Sequence, residues 1–386
     1  MSDGSMVNGQ SSNWRFGAYE VRRYLRAREA IHGGDTTATP RLAGALPHRF
    51  DWFEAMTDGY GWWLEVSDLQ HRPVAGFAVT ITPTRALPGH RLLRLERMRF
   101  VPDPGPAEAA VRYLADVSRG DPRIIGLSAE IFFADEAEKN HAIAALLRAG
   151  LRAAGTARMY THTARIDLRP ELEAILAGFR AGARRNIRAV AKYPVETRLV
   201  HDATLAPRLR ELELQAFGRT AGAATQLPWP ELIEFCNAHP GLARLVSLVR
   251  TDCDGPEALV AFALGLNHGD HVEYSAAGST RPPDLKMPLG YALAWDLMEW
   301  ARSVGAQWFD FGGIAPDPAT DGVRHRIHDF KRAFEGDVVE VSQSWSFEAR
   351  PIRGAWVRGV SRLAEQLRRL GRSKSALKSA AAREPG

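Results

Sequence analysis

Four basic residues of one segment stand at steps of four. In FRAGARRNIRAVAKYP (179–194), Arg180, Arg184, Arg188 and Lys192 have the spacing that lines side chains along one helix face, with Arg185 beside them. Like charges so placed repel by about 0.2–0.5 kcal/mol per pair. A row that carries this cost implies an anion that offsets it. Phosphate suits best, because guanidinium groups match phosphate oxygens with paired hydrogen bonds. The plainer alternative is a solvated face against which acidic residues from elsewhere pack.

A second group follows an aromatic strand. In WFDFGG (308–313), alternation puts Trp308 and Asp310 on one face and Phe309 and Phe311 on the other. Gly312 and Gly313 permit a tight turn or the close approach of a ligand backbone. Asp310 has two open readings: a strand-end acid that satisfies the amides of the glycine turn, or a group that meets substrate. HDFKRAFEGD (328–337) then brings Phe330, Lys331 and Arg332, a lysine beside an aromatic wall that can hold it. His325 and His328 are three apart without acidic or cysteine partners, so no metal site is expected. In HVEYSAAGST (271–280), Val272 and Tyr274 share a face, and Tyr274, Ser275, Ser279 and Thr280 either touch substrate or simply finish a strand.

Several chemistries are not written in the chain. There is no P-loop, no GxGxxG, no HExxH and no GxSxG. The pyrophosphate loop of acetyl-CoA enzymes, R/Q-x-x-G-x-G/A, has two formal matches, Arg152–Ala157 and Arg219–Ala224. Both follow helices, whereas the loop must leave a strand and open a helix. Cys236 and Cys253 belong to no CxxC or Cys/His pattern, which argues against structural zinc or a disulfide framework.

The elements that must hold these residues alternate between strand and helix, which indicates an α/β fold. Strands are expected over 61–68, 72–83, 91–101 and 123–133, with helices at 106–119 and 135–150. HRFDWFEAM begins a further helix, with Asp51 as a plausible N-cap. After a strand at 161–168, one long helix is expected from Pro170 to about Tyr193, ended by Pro194. A strand at 195–200, helices at about 203–218 and 229–238, and strands at 242–250, 258–267 and 271–278 follow. A helix from Leu289 to Val304, stopped by Gly305, leads to the aromatic strand. The same order of elements twice suggests two copies of one fold, a length of 386 residues being suited to two domains.

Charge is uneven. Residues 350–386 hold ten Lys/Arg and two Glu, a net of +8, against +5 for the whole chain. A basic tail on a near-neutral body suits a polyanion or an anionic surface. The expected helix at 352–370 carries Trp356, Val360, Leu363, Leu367 and Leu370 on one stripe. It has three open readings: docking on the body, contact with a nucleic-acid polyanion, or peripheral contact with an anionic membrane. The N-terminus MSDGSMVNGQSSNW lacks an apolar signal region and no run approaches the roughly 20 apolar residues of a membrane span, so a cytoplasmic protein is expected.

Three segments together resemble the FemABX family. THTARIDLRPELEAILAGFRAGARRNIRAVAKYPVETR follows its Thr and DL strand, acidic helix and R-x-x-I-x-x-A-x-K pattern. EYSAAGSTRPPDLKMPLGYALAWDLMEWARSVGAQWFDFGGI follows its Y-x-x-G-x-S/T, helix and DFGG pattern. HDFKRAFEGDVVE follows FK-x-x-F-G-G-x-x-V-E, with Glu335 in place of the first glycine. The resemblance covers roughly residues 160–342; the N-terminal half matches more loosely.

The resemblance implies two tandem GNAT-like domains, at 1–160 and 161–342, with residues 343–386 forming a strand and helix that pack back on the first domain, then a basic tail. Only about 40 residues separate Val200 from the strand at 242, so the coiled-coil arm of the large members is absent. It implies an aminoacyl-tRNA-dependent transferase that acylates an amine of a peptidoglycan precursor or a natural-product intermediate. The partners are then aminoacyl-tRNA as donor and an amine-bearing small molecule or muropeptide as acceptor; no DNA and no cofactor are expected. Lys331 corresponds to the family's FK lysine. As an ammonium at neutral pH it would stabilise an oxyanion or the tRNA end, and would not act as a base. The Phe330 carbonyl would orient the attacking amine. Arg180, Arg184, Arg185, Arg188, Lys192, Tyr274, Ser275, Asp310, Gly312, Gly313 and Arg332 are the candidate substrate-binding residues. The rival readings are an acyl-CoA-dependent N-acyltransferase and a non-enzymatic protein that binds tRNA or precursor.

Overall fold

The computed structural model describes residues 14–24, 45–57, 61–157, 159–220, 227–315, 325–360 and 363. The matches at 219–224 and most of the basic tail lie outside them, in whole or in part.

The first half builds an eight-stranded sheet. A hairpin of β1 (Trp14–Phe16) and β2 (Tyr19–Tyr24) is followed by α1 (Phe50–Met56). Then come β3 (Gly61–Asp68), β4 (Pro73–Pro83), β5 (Arg91–Met98), α2 (Gly105–Gly120), β6 (Ile124–Phe132), α3 (Glu136–Arg148) and β7 (Arg152–Ala153). The N-cap of α1 is Arg49; Asp51 lies within its first turn. The N-cap of α3 is Asp135, whose side chain accepts from Glu138 N–H, and Gly150 reverses the chain at φ +84.

The second half runs through β8 (His162–Asp167), α4 (Leu172–Gly178), α5 (Ala181–Ala189), β9 (Val195–Leu199), α6 (Ala206–Thr220) and α7 (Trp229–Ala238). It continues with β10 (Ala243–Arg250), β11 (Leu259–Asn267), β12 (His271–Ser279), α8 (Gly290–Ser303), β13 (Trp308–Gly313), α9 (His325–Arg332) and β14 (Asp337–Glu340). Its seven strands stand in the order β14-β8-β13-β12-β11-β10-β9. Strand β11 is buried along its whole length, as its unbroken apolar run requires when helices cover both faces. One face packs on α4, α5 and α8 through residues such as Ile175, Ile187 and Leu297; the other packs on α6 and α7 through Leu212, Trp229 and Phe235.

Each sheet therefore has one parallel pair, β5–β6 and β12–β13, joined by a crossover helix. Segments from the early and late parts of the chain tie the halves together. β15 (Ser342–Glu348) leaves the second half and pairs with β6 and β7, giving the first sheet the order β1-β2-β3-β4-β5-β6-β15-β7. Helix α1 is wedged between the halves: Phe53 packs on Trp63 of the first, and Trp52 meets Phe235 of the second edge-on. A final helix, α10 (351–360), lies against the first half, where Arg353 donates to the Pro122 carbonyl at 2.8 Å and Trp356 to the Ala86 carbonyl at 3.3 Å.

The single helix expected from Pro170 to Tyr193 is two. The backbone of Phe179 turns extended (ψ 156) between α4 and α5. Its ring is buried against Trp295 and Phe334, and the next amide, Arg180 N–H, donates to the Ala333 carbonyl at 3.1 Å. Tertiary anchoring of one aromatic, with flanking Gly178 and Gly182 of low helix propensity, outweighs the local periodicity.

Candidate active site

The site lies where β12 and β13 part. These parallel strands pair only from His271↔Trp308 to Glu273↔Asp310. Beyond Glu273, β12 stays with β11 and shifts register across Ser275, so that Leu264 faces Ala276 and Gly265 faces Tyr274. β13 instead follows β8 as far as Gly313↔Thr163. Parting strands withdraw their facing edges from each other and leave backbone N–H and C=O groups for a ligand to meet.

Three groups converge at the mouth of that wedge. Gly312 has φ +69, and a Cβ on it would lie 3.7 Å from the Tyr274 carbonyl oxygen and 3.9 Å from both Lys331 Nζ and Tyr160 Cε1. Glycine thus supplies a backbone conformation that other residues adopt at a cost and also keeps open the space above the lysine. Lys331 comes from the last turn of α9, is buried, and donates from Nζ to the Gly313 carbonyl at 2.7 Å. Phe330 stands among Tyr274, Tyr291, Phe311 and Phe334 at ring separations of 5.0–6.2 Å. Its carbonyl takes the Ala333 amide at 3.3 Å. Burial pushes the Tyr274 phenol well up, so its hydroxyl stays protonated. Ser275 is exposed at the bulge. Arg332 donates to the Ala315 carbonyl at 3.0 Å.

Asp310 lies beneath the turn, fully buried, and not on its surface. Its Oδ1 accepts from Gly312 N–H at 2.6 Å and from the Thr163 hydroxyl; its Oδ2 accepts from the Tyr160 hydroxyl at 2.8 Å. Asp310 thus satisfies an amide of the glycine turn.

Behind Asp310 stands a buried ionic cluster that local sequence patterns did not reveal. Arg97 leaves the first sheet at a bulge with φ +50 and reaches Glu273 at 2.8 Å and Asp310 at 3.8 Å. Burial opposes its charge, yet Glu273, Tyr160 and Asp310 together raise the guanidinium above its ordinary value. Tyr160 accepts from Arg97 at 3.0 Å, and burial pushes its phenol well up, which keeps its single O–H, shared between Asp310 at 2.8 Å and Glu273 at 3.0 Å, in place. His268 accepts the Leu46 amide on Nδ1 at 3.1 Å and faces Glu273 with Nε2 at 3.2 Å. His271 faces Asp270 with Nδ1 at 2.7 Å and Arg97 with Nε2 at 3.4 Å. Burial holds both imidazoles below their ordinary value, and each has the partners of a neutral ring. Tyr160, Thr163, Glu273 and Arg97 are the site residues missed by sequence reasoning. Thr163 belongs to the THTARIDL motif; Arg97 had no signal beyond a basic residue in an alternating strand.

The basic row is only partly a row. Arg180 is the N-cap of α5 and pairs with Glu335. Arg184 turns back to the carbonyls of Ala177, at 3.0 Å, and Phe179. Part of the offset for the like charges is therefore internal: an acid and the C-terminal carbonyls of α4. Arg184 and Arg188 line a groove of ≈ 340 Å³ with Glu173, Leu176 and Ala177. Arg185, Arg188 and Lys192 are exposed, with Lys192 already in a 3-10 turn beyond α5. The row and the wedge meet where Arg180 N–H bonds to the Ala333 carbonyl, two residues past Lys331. Among the described residues, no group of three or more His, Cys, Asp or Glu is arranged to hold a metal ion.

Two mixed sheets, each with a parallel pair bridged by a helix, and a wedge opening in one of them, make this a tandem GNAT-like fold. Residues 177–332 match the family described as acetyltransferase (GNAT) domain. The structure is similar to the crystal structure of FemX, with a TM-score of 0.67 and 14% identity over 86% of this chain and 99% of that one. It is also similar to L-PGS from Bacillus licheniformis, with a TM-score of 0.51 and 10% identity over 86% of this chain and 97% of that one. No curated protein matches the chain. The chain therefore has a GNAT-like fold, and its architecture is similar to that of FemX.

Proposed function

We propose that the protein is an aminoacyl-tRNA-dependent aminoacyltransferase that acylates an amine, on a peptidoglycan precursor or a natural-product intermediate. The observation that carries this reading is the convergence of Lys331 Nζ, the Tyr274 carbonyl and the side-chain-free Gly312 at the mouth of the wedge, in the half that bears the FemABX motifs. The amine nitrogen attacks the ester carbonyl carbon, forming a C–N bond and a tetrahedral oxyanion. Collapse breaks the C–O bond to ribose; the ribose oxygen leaves with the proton the amine loses. An ester is activated enough that no Ser-His-Asp set is required, only a neutral amine, an oxyanion donor and a proton path. The Lys331 ammonium takes the oxyanion, the Phe330 carbonyl orients the amine, and the exposed Arg185, Arg188 and Lys192 meet phosphates of the donor or acceptor.

The rival donor, acyl-CoA, is less well served. A pyrophosphate needs successive backbone N–H groups where a strand gives way to a helix. Between β12 and α8 the chain reads TRPPDLKMPL (280–289), in which Pro282, Pro283 and Pro288 have no N–H. Between β5 and α2, Pro102 and Pro104 interrupt the equivalent stretch. The test is incubation with a mixture of radiolabelled aminoacyl-tRNAs, with and without muropeptide precursor or labelled acyl-CoA. Transfer of label from tRNA to an amine is expected. Transfer from acyl-CoA alone, or tight tRNA binding without transfer, would replace the proposal by one of its rivals.

A further inference from the structure

Helix α10 presents its apolar side to solvent. Ile352, Trp356 and Leu363 are 87%, 61% and 58% exposed. At about 100° per residue Ile352 and Trp356 fall within roughly 40° of arc on α10, a single stripe, and Leu363 follows as a further exposed apolar residue. The helix touches the body with its other groups. Arg353 bonds to the Pro122 carbonyl and to His90, Gly354 is buried near Ile125, and Arg358 pairs with Glu348. Only the edge of Trp356 reaches the body, through the Ala86 carbonyl. The anchoring contacts therefore hold the stripe outward.

The surroundings of the stripe decide what fits it. Arg85 and Arg123, both exposed, adjoin the two carbonyls that receive Trp356 and Arg353. The nearby acids are engaged: Asp121 by Arg91 at 2.6 Å and Glu348 by Arg358. In sequence, residues 350–386 carry ten Lys/Arg against two Glu. An apolar stripe with tryptophan at its edge, ringed by cations, matches an anionic lipid bilayer, where acyl chains take the stripe and headgroups take the arginines.

We propose that this face docks the protein on anionic membrane surfaces. Among the described residues no helix is long and apolar enough to cross a membrane, so the contact is peripheral. The inference does not rest on the proposed transfer reaction. The experiment is co-sedimentation of the full chain with vesicles of phosphatidylcholine alone or with about 30% phosphatidylglycerol, at low and high salt. Binding to the anionic vesicles at least about tenfold stronger than to the neutral ones, and weakened by salt, is expected. Ile352→Asp and Trp356→Ser should each lower that binding about tenfold, and Ile352→Asp, at a side chain 87% exposed, should leave the melting temperature unchanged. Absence of vesicle binding would overturn the proposal. So would equal binding by both variants, which would leave only the charge of the tail. Concentration-dependent dimerisation that Ile352→Asp abolishes would give the face to a second copy, and loss of tRNA binding in that variant would give it to nucleic acid.

Discussion

The two halves use the same parallel pair in opposite ways. In the first, β5 and β6 remain paired from Arg91↔Ile124 to Met98↔Ile131 through two register shifts, one after Arg91 and one at the Arg97 bulge. In the second, β12 and β13 separate after three residue pairs. The difference lies in what stands at the strand ends. The second half has the Ser275 register shift on one side and two glycines on the other, so each strand follows its outer neighbour. The first half closes its pair and turns the bulged residue outward, where Arg97 reaches the carboxylates beneath the other half's wedge. A duplicated fold has thus divided its labour: one copy keeps an opening, and the other supplies the cation that supports it.

The largest effect should come from removing that cation. Arg97→Met leaves Glu273 and Asp310 buried without their charge partner, and breaking such a cluster costs about 3–5 kcal/mol. Chemical denaturation should show this loss, and transfer activity should fall with it because Asp310 holds Gly312. An unchanged midpoint would mean that the first half does not support the second. Lys331→Ala probes the wedge itself. Turnover should drop by roughly 10²-fold or more, on the order of 3 kcal/mol, with native circular dichroism. A normal single-turnover rate would remove Lys331 from the chemistry.

The seam between the halves should also respond to pH. Burial depresses His268 and His271, and pushes His48 down to about 4. The unfolded chain takes up these protons near pH 6.5, before the folded chain does. Stability is therefore full above about pH 6.5 and declines as pH falls toward the depressed folded values, by about 1.4 kcal/mol per pH unit for each histidine that stays neutral. Melting curves between pH 7.5 and 5 should show it. A flat profile would mean that the three rings are not buried neutral in solution.

The smallest effect concerns Glu335, which stands where the FemABX pattern has glycine and takes the backbone a glycine would, at φ +52. Glu335→Gly relieves about 1 kcal/mol of strain and loses an exposed ion pair with Arg180 worth about 0–1 kcal/mol. The net change in melting temperature should be near zero or slightly upward. A clear drop would show that the ion pair anchors α5 against α9.

Much of the fold was legible. Strand β3 falls at 61–68 as its apolar run predicts, and α8 has the apolar spacing and the Gly305 stop expected of it. Local patterns failed where distant residues intervene. The helix break at Phe179 is set by Trp295 and Phe334, and the wedge position of α1 by aromatics of both halves. In the site, the glycine turn and the FK lysine were readable because each is a local motif. The role of Asp310 was open until its partners were known.

The amino-acid sequence by itself determined the alternation of strands and helices, the glycines at the end of β13, the lysine that follows, and the basic character of α5 and the C-terminus, because each depends on neighbours within a turn or a strand. Tertiary structure alone decided that β12 and β13 separate, that Arg180 and Arg184 are occupied within the protein, and that Arg97 stands behind Asp310. The partners in that cluster are far apart in sequence: the hydrogen bond from Tyr160 to Asp310 spans 150 residues. Such a bond forms only once both sheets are built and pressed together, and no short-range periodicity encodes it.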